Sequence, residues 1–174
     1  MRRGWRWCSP ACATSGTDPV RAFALAALVM FALDQGSKWA VVHWLGLKHR
    51  LAIDVLPPLL NFRMGWNDGI NFGLLSGHPA AARWLLIALA LAICAWVTWF
   101  ARRDGRPRMM IAAGVLVGGA LGNVADRLVY GAVADFLNMS CCGITNPFAF
   151  NIADIGVFAG AIALVLWSDP EKTR

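Results

Sequence analysis

The sequence predicts an all-α membrane protein: four transmembrane helices, with a small strand-rich extracytoplasmic flap between the first and second. Three observations predict it. Of 174 residues, 58% are hydrophobic and only 15% charged, and the mean hydropathy of +0.54 exceeds that of a soluble domain. Four stretches approach the roughly 20 apolar residues that span a hydrocarbon core: Val20 to Leu45, Ala80 to Ala101, Met109 to Ala125 and Phe148 to Trp167. Positive charge is placed asymmetrically between them, which orients the set.

Residues 1–19 are expected to be a disordered cytoplasmic extension, because their Arg and Trp residues lead into Cys, Pro, Ser and Thr rather than the apolar core of a signal peptide. Residues 20–168 form the single membrane domain. Its first span is interrupted by Asp34 and Lys38. The outer flap covers about 46–79: Ile53, Val55, Leu59, Leu60 and Phe62 around Pro57 and Pro58 read as short extended pieces, and Asn67-Asp68-Gly69 as a turn. The second span ends at an inner loop carrying Arg102, Arg103, Arg106 and Arg108. Gly114, Gly118 and Gly122 in the third span, and Gly156 and Gly160 in the fourth, recur every four residues and let backbones approach closely. That spacing predicts close packing of the third and fourth spans. Residues 169–174 are a cytoplasmic tail.

Arg2, Arg3, Arg6 and Arg21, the inner-loop arginines, and Lys172 with Arg174 all fall on one side, so both termini are expected in the cytoplasm. The net charge of +6 reads as topology, and its scatter over short loops argues against nucleic-acid binding. Five cysteines, Cys8, Cys12, Cys94, Cys141 and Cys142, fit neither a disulfide framework nor a zinc spacing.

The chemistry gathers at the outer side. Asn123, Asp126 and Arg127 close the third span, Asn151 and Asp154 open the fourth, and Asp135 lies between in an apolar setting. Asn123 with Arg127 and Asn151 with Asp154 are spaced to share helix faces. Carboxylates in lipid are costly and tend to have a task. Were Asp135 and Asp154 to converge, like-charge repulsion would leave one protonated and one ionised near neutrality, the state an aspartyl protease uses. Spacing alone leaves other readings open: solvated interfacial groups, or partners of Arg127. Asp34 and Lys38 permit an intrahelical ion pair. His43, His49 and His78 show no ligand spacing with the carboxylates, so no metal is expected. Ser37 and Lys38, neighbours on a helix, point too far apart for a serine–lysine dyad. A transporter would carry polar groups on both membrane faces, whereas the ionisable residues here collect at the outer one; a packing scaffold would tolerate neutral replacement of both aspartates.

Five motifs in order, Asp34-Gln-Gly-Ser-Lys38, Asn67-Asp-Gly-Ile-Asn-Phe72, Gly122-Asn-Val-Ala-Asp-Arg127, Val133-Ala-Asp-Phe136 and Phe150-Asn-Ile-Ala-Asp154, resemble lipoprotein signal peptidase, also called signal peptidase II. The resemblance implies an aspartyl endopeptidase of the bacterial cytoplasmic (inner) membrane that cuts diacylglyceryl-modified prolipoproteins just before the lipidated cysteine. It implies no metal or cofactor, substrate and membrane lipids as partners, and a monomer with its active site near the outer face. Carried over by position, the catalytic pair falls on Asp135 and Asp154, while Asp34, Lys38, Asn67, Gly69, Asn123, Asp126, Arg127 and Asn151 bind substrate or support the pair. Ile70-Asn71 stands where the family usually has two alanines, and Ile155-Gly156 follows the last aspartate where Ser is common.

Overall fold

The computed structural model describes residues 18–69, 79–141, 143 and 146–168. The N-terminal extension through residue 17, the tail 169–174, flap residues 70–78 including Ile70 and Asn71, and Cys142 lie outside the described residues.

Helix α1 (Pro19–Lys38) opens with Pro19 in its first turn and Asp18 as cap, whose Oδ1 accepts the Val20 N–H at 3.0 Å. It continues as a π-helical turn, Trp39–Trp44, and ends at Gly46 in the left-handed region (φ +69°). A short helix α2 (Leu47–Arg50) leads into strands β1 (Ala52–Leu56) and β2 (Leu60–Asn67), an antiparallel pair with Ala52 opposite Arg63. Helix α3 (Pro79–Asp104) turns through Gly105 (φ +74°) into α4 (Pro107–Tyr130), which stops at Gly131 (φ +84°). Strand β3 (Val133–Asn138) and helix α5 (Ile152–Trp167) complete the order.

Among the described residues, α1 with its π turn, α3 and α4 are long and apolar enough to cross a membrane. Helix α5 is apolar but only 16 residues long, about 24 Å at 1.5 Å per residue against a hydrocarbon core of about 30 Å. The apolar stretch from Phe148 is therefore not all helix: residues 148–151 precede the helix, and Phe150 pairs with Leu137 of β3. At the other boundary α4 runs five residues past its apolar stretch, to Tyr130, so Asp126 and Arg127 lie inside the helix with Asn123.

Helix α4 is the hub. The most apolar window of α4 is 67% buried, against 17% and 22% for those of α1 and α3. The other helices turn Leu25, Leu28 and Leu33, Leu85 and Leu89, or Phe158 and Ile162 outward, the arrangement lipid requires. Trp84 and Trp99, both exposed, mark about 22 Å along α3, and Arg102 and Arg103 follow the second.

The glycine rows act otherwise than spacing suggests. Gly114, Gly118 and Gly122 face α1, not α5. A Cβ on Gly114 would lie 2.5 Å from the Phe23 carbonyl oxygen, one on Gly118 would strike that of Ala27, and one on Gly122 would strike the Asp34 carboxylate. Contact between α4 and α5 runs instead through Gly119, whose Cβ would sit 2.5 Å from the Ala153 oxygen, and Gly160, 2.7 Å from the Leu116 nitrogen. Gly156 lies against Met30 of α1. A four-residue repeat names a helix face but not the partner.

The flap is also larger in origin than expected. Strand β3, from between α4 and α5, pairs antiparallel with β2 to give the order β1-β2-β3. Phe136 anchors it in a cluster with Val41 and Leu47, its ring 5.9 Å from that of Phe62. An isolated two-stranded hairpin is marginal; β3 supplies the third strand and the buried face.

Gly118→Leu should cost about 1–3 kcal/mol, since the clash is with backbone that cannot rotate away. The thermal unfolding midpoint in detergent should fall; an unchanged midpoint would mean that α1 and α4 do not touch along this row.

Candidate active site

Lys38 is 5% exposed and lies between two buried carboxylates, Asp34 (0%) and Asp126 (1%). Its ammonium is 2.8 Å from an oxygen of each. A third contact, 3.3 Å, goes to Asn123 Oδ1, so all three N–H donors of an ammonium have acceptors. The intrahelical pair of Asp34 and Lys38 is thus extended to α4. Gln35 reinforces it, donating to Asp34 Oδ2 at 3.1 Å, to the Gly122 carbonyl at 3.2 Å and to Asp126 Oδ1 at 3.0 Å.

Each buried carboxylate also holds a backbone amide. Asp126 Oδ2 accepts the Ala134 N–H at 3.0 Å, and Asp34 Oδ1 accepts the Ala153 N–H at 2.9 Å. Those amides belong to the residues immediately before Asp135 and Asp154. One ion cluster therefore positions β3 and the first turn of α5, each just ahead of an aspartate.

Asn151 joins those two aspartates. Phe150 hydrogen-bonds to the backbone of Leu137 in both directions, 2.8 and 2.9 Å, which lays Asn151 beside β3. Its side-chain amide donates to Asp135 Oδ1 at 2.6 Å, and its Oδ1 accepts the Asp154 N–H at 2.9 Å. Asp154 Oδ2 accepts the Asn151 N–H at 3.3 Å, closing a capping box. Asn151 is thus the cap before α5, not a partner on its face, and the three-residue spacing to Asp154 is that of a cap and its N3 residue. Asn123 donates to Asp154 Oδ1 at 2.9 Å and accepts from Asn151 at 3.2 Å. Asn67, at the end of β2, donates to Asp135 Oδ2 at 3.1 Å, while its own Oδ1 accepts the Gly69 N–H at 3.0 Å in the expected turn.

Each oxygen of Asp135 and Asp154 thus has a neutral N–H donor, leaving lone pairs for water or a shared proton. Burial is the largest influence on Asp135 and pushes its pKa up to about 6; the Asp154 charge adds to the rise, while the Asn67 and Asn151 hydrogen bonds oppose it. The Arg127 guanidinium lies in the field of Asp135, Asp154 and Asp126. It donates to the Asn123 carbonyl at 3.3 Å, and its Nε is buried with no hydrogen-bond partner among the described residues.

All ten sequence-derived site residues fall in this region, with Gly69 at its edge through the Asn67 turn. Gln35 and the Ala134 and Ala153 amides were missed. Gln35 had a signal, since it lies three residues before Lys38 on the same helix face; backbone donors leave none. Gly65 was missed too: a Cβ there would sit 3.6 Å from the Asp135 carbonyl oxygen, so β2 runs close beside the aspartate's strand.

Comparison with known proteins gives a consistent result. A family model described as signal peptidase (SPase) II matches residues 26–168. The lipoprotein signal peptidase of Methylorubrum extorquens (strain PA1) is 38% identical over 149 residues, 84% of each chain. That of Rhodopseudomonas palustris (strain ATCC BAA-98 / CGA009) is 38% identical over 151 residues, 84% of this chain and 91% of the relative. Two solved structures, each titled as a bacterial membrane enzyme, superpose with TM-scores of 0.72 and 0.69 at 27% and 28% identity. Both cover 84% of this chain, and 91% and 86% of their own.

Lys38→Met should destabilise by about 3–5 kcal/mol, because it leaves two buried carboxylates without their cation. Asp126→Asn, which keeps the size of the side chain, should lower both the unfolding midpoint and the activity. A stable but wholly inactive Asp126→Asn enzyme would place Asp126 in contact with substrate instead.

Proposed function

Because the chain belongs to the signal peptidase II family, we propose that it is an aspartyl endopeptidase in which Asp135 and Asp154 form the catalytic pair. It is a protease that removes the signal peptide from prolipoproteins. The finer reading is that it cuts before the diacylglyceryl cysteine and uses no metal. Asn151 carries the assignment of the pair: its one side chain touches Asp135 and caps the turn holding Asp154.

The chemistry follows from the donors around the pair. The ionised aspartate takes a proton from water as the oxygen attacks the scissile carbonyl carbon. The neutral one hydrogen-bonds to the carbonyl oxygen and protonates it as the tetrahedral diol forms. Collapse breaks the C–N bond, with a proton delivered to the departing cysteine nitrogen. The products are a signal peptide ending in a carboxylic acid and a lipoprotein with a free cysteine amino group. The raised pKa of Asp135 supports it as the member that holds the proton before attack. Asn123 and Asn151 orient the carboxylates, and Arg127 stands where it can steady the substrate's carbonyl groups.

The reading includes four spans, with α5 as the fourth, both termini cytoplasmic and the site at the outer face of the inner membrane. The arginines at the α3–α4 turn, Arg102, Arg103, Arg106 and Arg108, support that orientation. A site at that depth meets a substrate held there by its acyl chains, each buried methylene being worth about 0.8 kcal/mol. The strands act as a cover over the cleavage site.

Asp135→Asn and Asp154→Asn should each abolish cleavage of a lipidated prolipoprotein while the purified protein keeps its unfolding midpoint; substantial turnover by either would remove that residue from the pair. The pH profile gives an independent check. The neutral form of Asp135 is lost as pH rises through about 6, so kcat/KM of the free enzyme should fall on the alkaline side, with an apparent value belonging to the pair. Asn67 stabilises the ionised form, so Asn67→Ala should move that limb to higher pH. A limb that stays put or moves down would contradict the assigned roles.

A further inference from the structure

Three basic residues stand in a row on the short helix α2, just beyond the end of α1. Lys48, His49 and Arg50 fall on the outer side of the proposed topology, where the positive-inside rule disfavours them. All three are exposed. Among the described residues neither Lys48 nor Arg50 has a carboxylate partner, whereas the flap's other arginine, Arg63, is paired with Asp54 at 2.6 Å. Apolar side chains flank the row: Trp44 is 75% exposed, Leu51 63%, and Leu45 is exposed as well. Leu51 also holds a left-handed backbone (φ +62°), a conformation that glycine or asparagine takes at less cost. Packing inside the protein does not account for an outward leucine there.

We propose that α2 and its flanks, Trp44 to Leu51, are a docking surface for anionic phospholipid of the outer leaflet, and that the bound lipid fixes the height of the β-sheet over the membrane. The proposal rests on the topology in the signal peptidase II reading, and it concerns a different face from the cleavage site. Depth supports it. From Arg21 to Trp39 the first helix advances about 27 Å at 1.5 Å per residue, close to the hydrocarbon core of about 30 Å. Trp39 thus stands at the outer boundary, and Trp44 and the cations after it reach the depth of the headgroup phosphates. Leu45 and Leu51 add apolar area to the same patch. Charge selects the lipid. A zwitterionic headgroup offsets its phosphate with its own cation, so two unpaired cations favour a lipid with net negative charge, each by about fivefold.

Leu47 carries the contact inward. It is wholly buried in one cluster with Val41 and Phe136, and Phe136 follows Asp135 on β3. Successive residues of a strand face opposite sides, so α2 packs behind the sheet from Asp135. The turn itself is tightly closed: Gly46 and Leu51 bound it in left-handed backbone, and the Leu51 N–H donates to the Leu47 carbonyl at 2.7 Å. A headgroup held by Lys48 and Arg50 therefore acts, through Leu47 and Phe136, on the strand that carries Asp135.

The test uses the full-length protein in nanodiscs of phosphatidylcholine with or without phosphatidylglycerol, either lipid carrying a photoactivatable diazirine beside an ester carbonyl. In wild-type protein, residues 44–51 should be labelled about fivefold more by phosphatidylglycerol than by phosphatidylcholine, and Lys48→Gln/Arg50→Gln should bring the two to parity. Both side chains are exposed, so the variant keeps its unfolding midpoint. Equal labelling of the wild type by the two lipids would reduce the patch to an apolar contact. Phosphatidylglycerol adducts confined to residues 102–108 would place the anionic lipid in the other leaflet, and a preference that survives the double substitution would remove the cations from the site; each overturns the proposal. Phosphatidylglycerol should also raise kcat/KM for a lipidated precursor about twofold or more in the wild type and not in the variant. No rise, or an equal rise in both, would overturn the control of sheet height. Labelling needs no cleavage, so a protein that cuts no precursor sinks the peptidase reading while the adducts still report on the lipid surface.

Discussion

Two carboxylates and one ammonium, buried together where three segments meet, are what the rest of the architecture depends on. Charges are expensive to remove from water, and such a cluster survives only if every lone pair and proton is matched. Here the matching is done by the fold itself. Lys38 joins α1 to α4 through Asp126, and the oxygens left over take the Ala134 and Ala153 amides. The same bonds that neutralise the cluster therefore set where β3 ends up and where α5 begins. Because Asp135 and Asp154 follow those amides by one residue, the cluster positions both aspartates without touching either.

Close packing makes that cluster possible. Asp34 lies against Gly122, where any side chain would occupy the carboxylate's place. Gly114 and Gly118 bring the two helices together below it, over a length that an isolated ion pair could not hold in register. The hub role of α4 follows: glycines on one side accept α1, while Gly119 accepts the start of α5. Helix α3, which contains no glycine, packs on α4 and leaves an apolar groove between itself and α5.

Much of this was legible in the sequence because it rests on local patterns. Apolar runs located α1, α3 and α4, the apolar residues around Pro57 and Pro58 located extended pieces where β1 and β2 form, and Asn67-Asp68-Gly69 located the turn that ends β2. The four-residue spacing of Asp34 and Lys38 foretold their ion pair, though not that Asp126 would complete it, because a partner on another helix leaves no spacing. The same limit hid the destination of the glycine rows. Strand β3 was missed for a different reason: Val133 to Asn138 is short and buried on both sides, so it shows no alternation, and only the edge of β2 makes it a strand. Asn151 and Asp154 were read as neighbours on a helix, yet their spacing is equally that of a capping box, and the pairing of Phe150 with Leu137 decided between the two.

The choice of asparagine around the two aspartates has its own logic. A lysine or arginine bonded directly to Asp135 would hold it ionised well below neutrality, and the pair would lose the shared proton that general acid–base work requires. Asparagine amides offer donors with fixed geometry and no net charge. Asn123 stands between Lys38 and Asp154, and Asn123 with Asn151 between Lys38 and Asp135. The cation is kept one or two side chains away, where its field acts on Asp135 more weakly than burial, the amide hydrogen bonds and the Asp154 charge. Rigidity is thus supplied by the charged cluster and transmitted through neutral groups. This lets one site combine an over-determined backbone with a carboxyl group that can gain or lose a proton near pH 6.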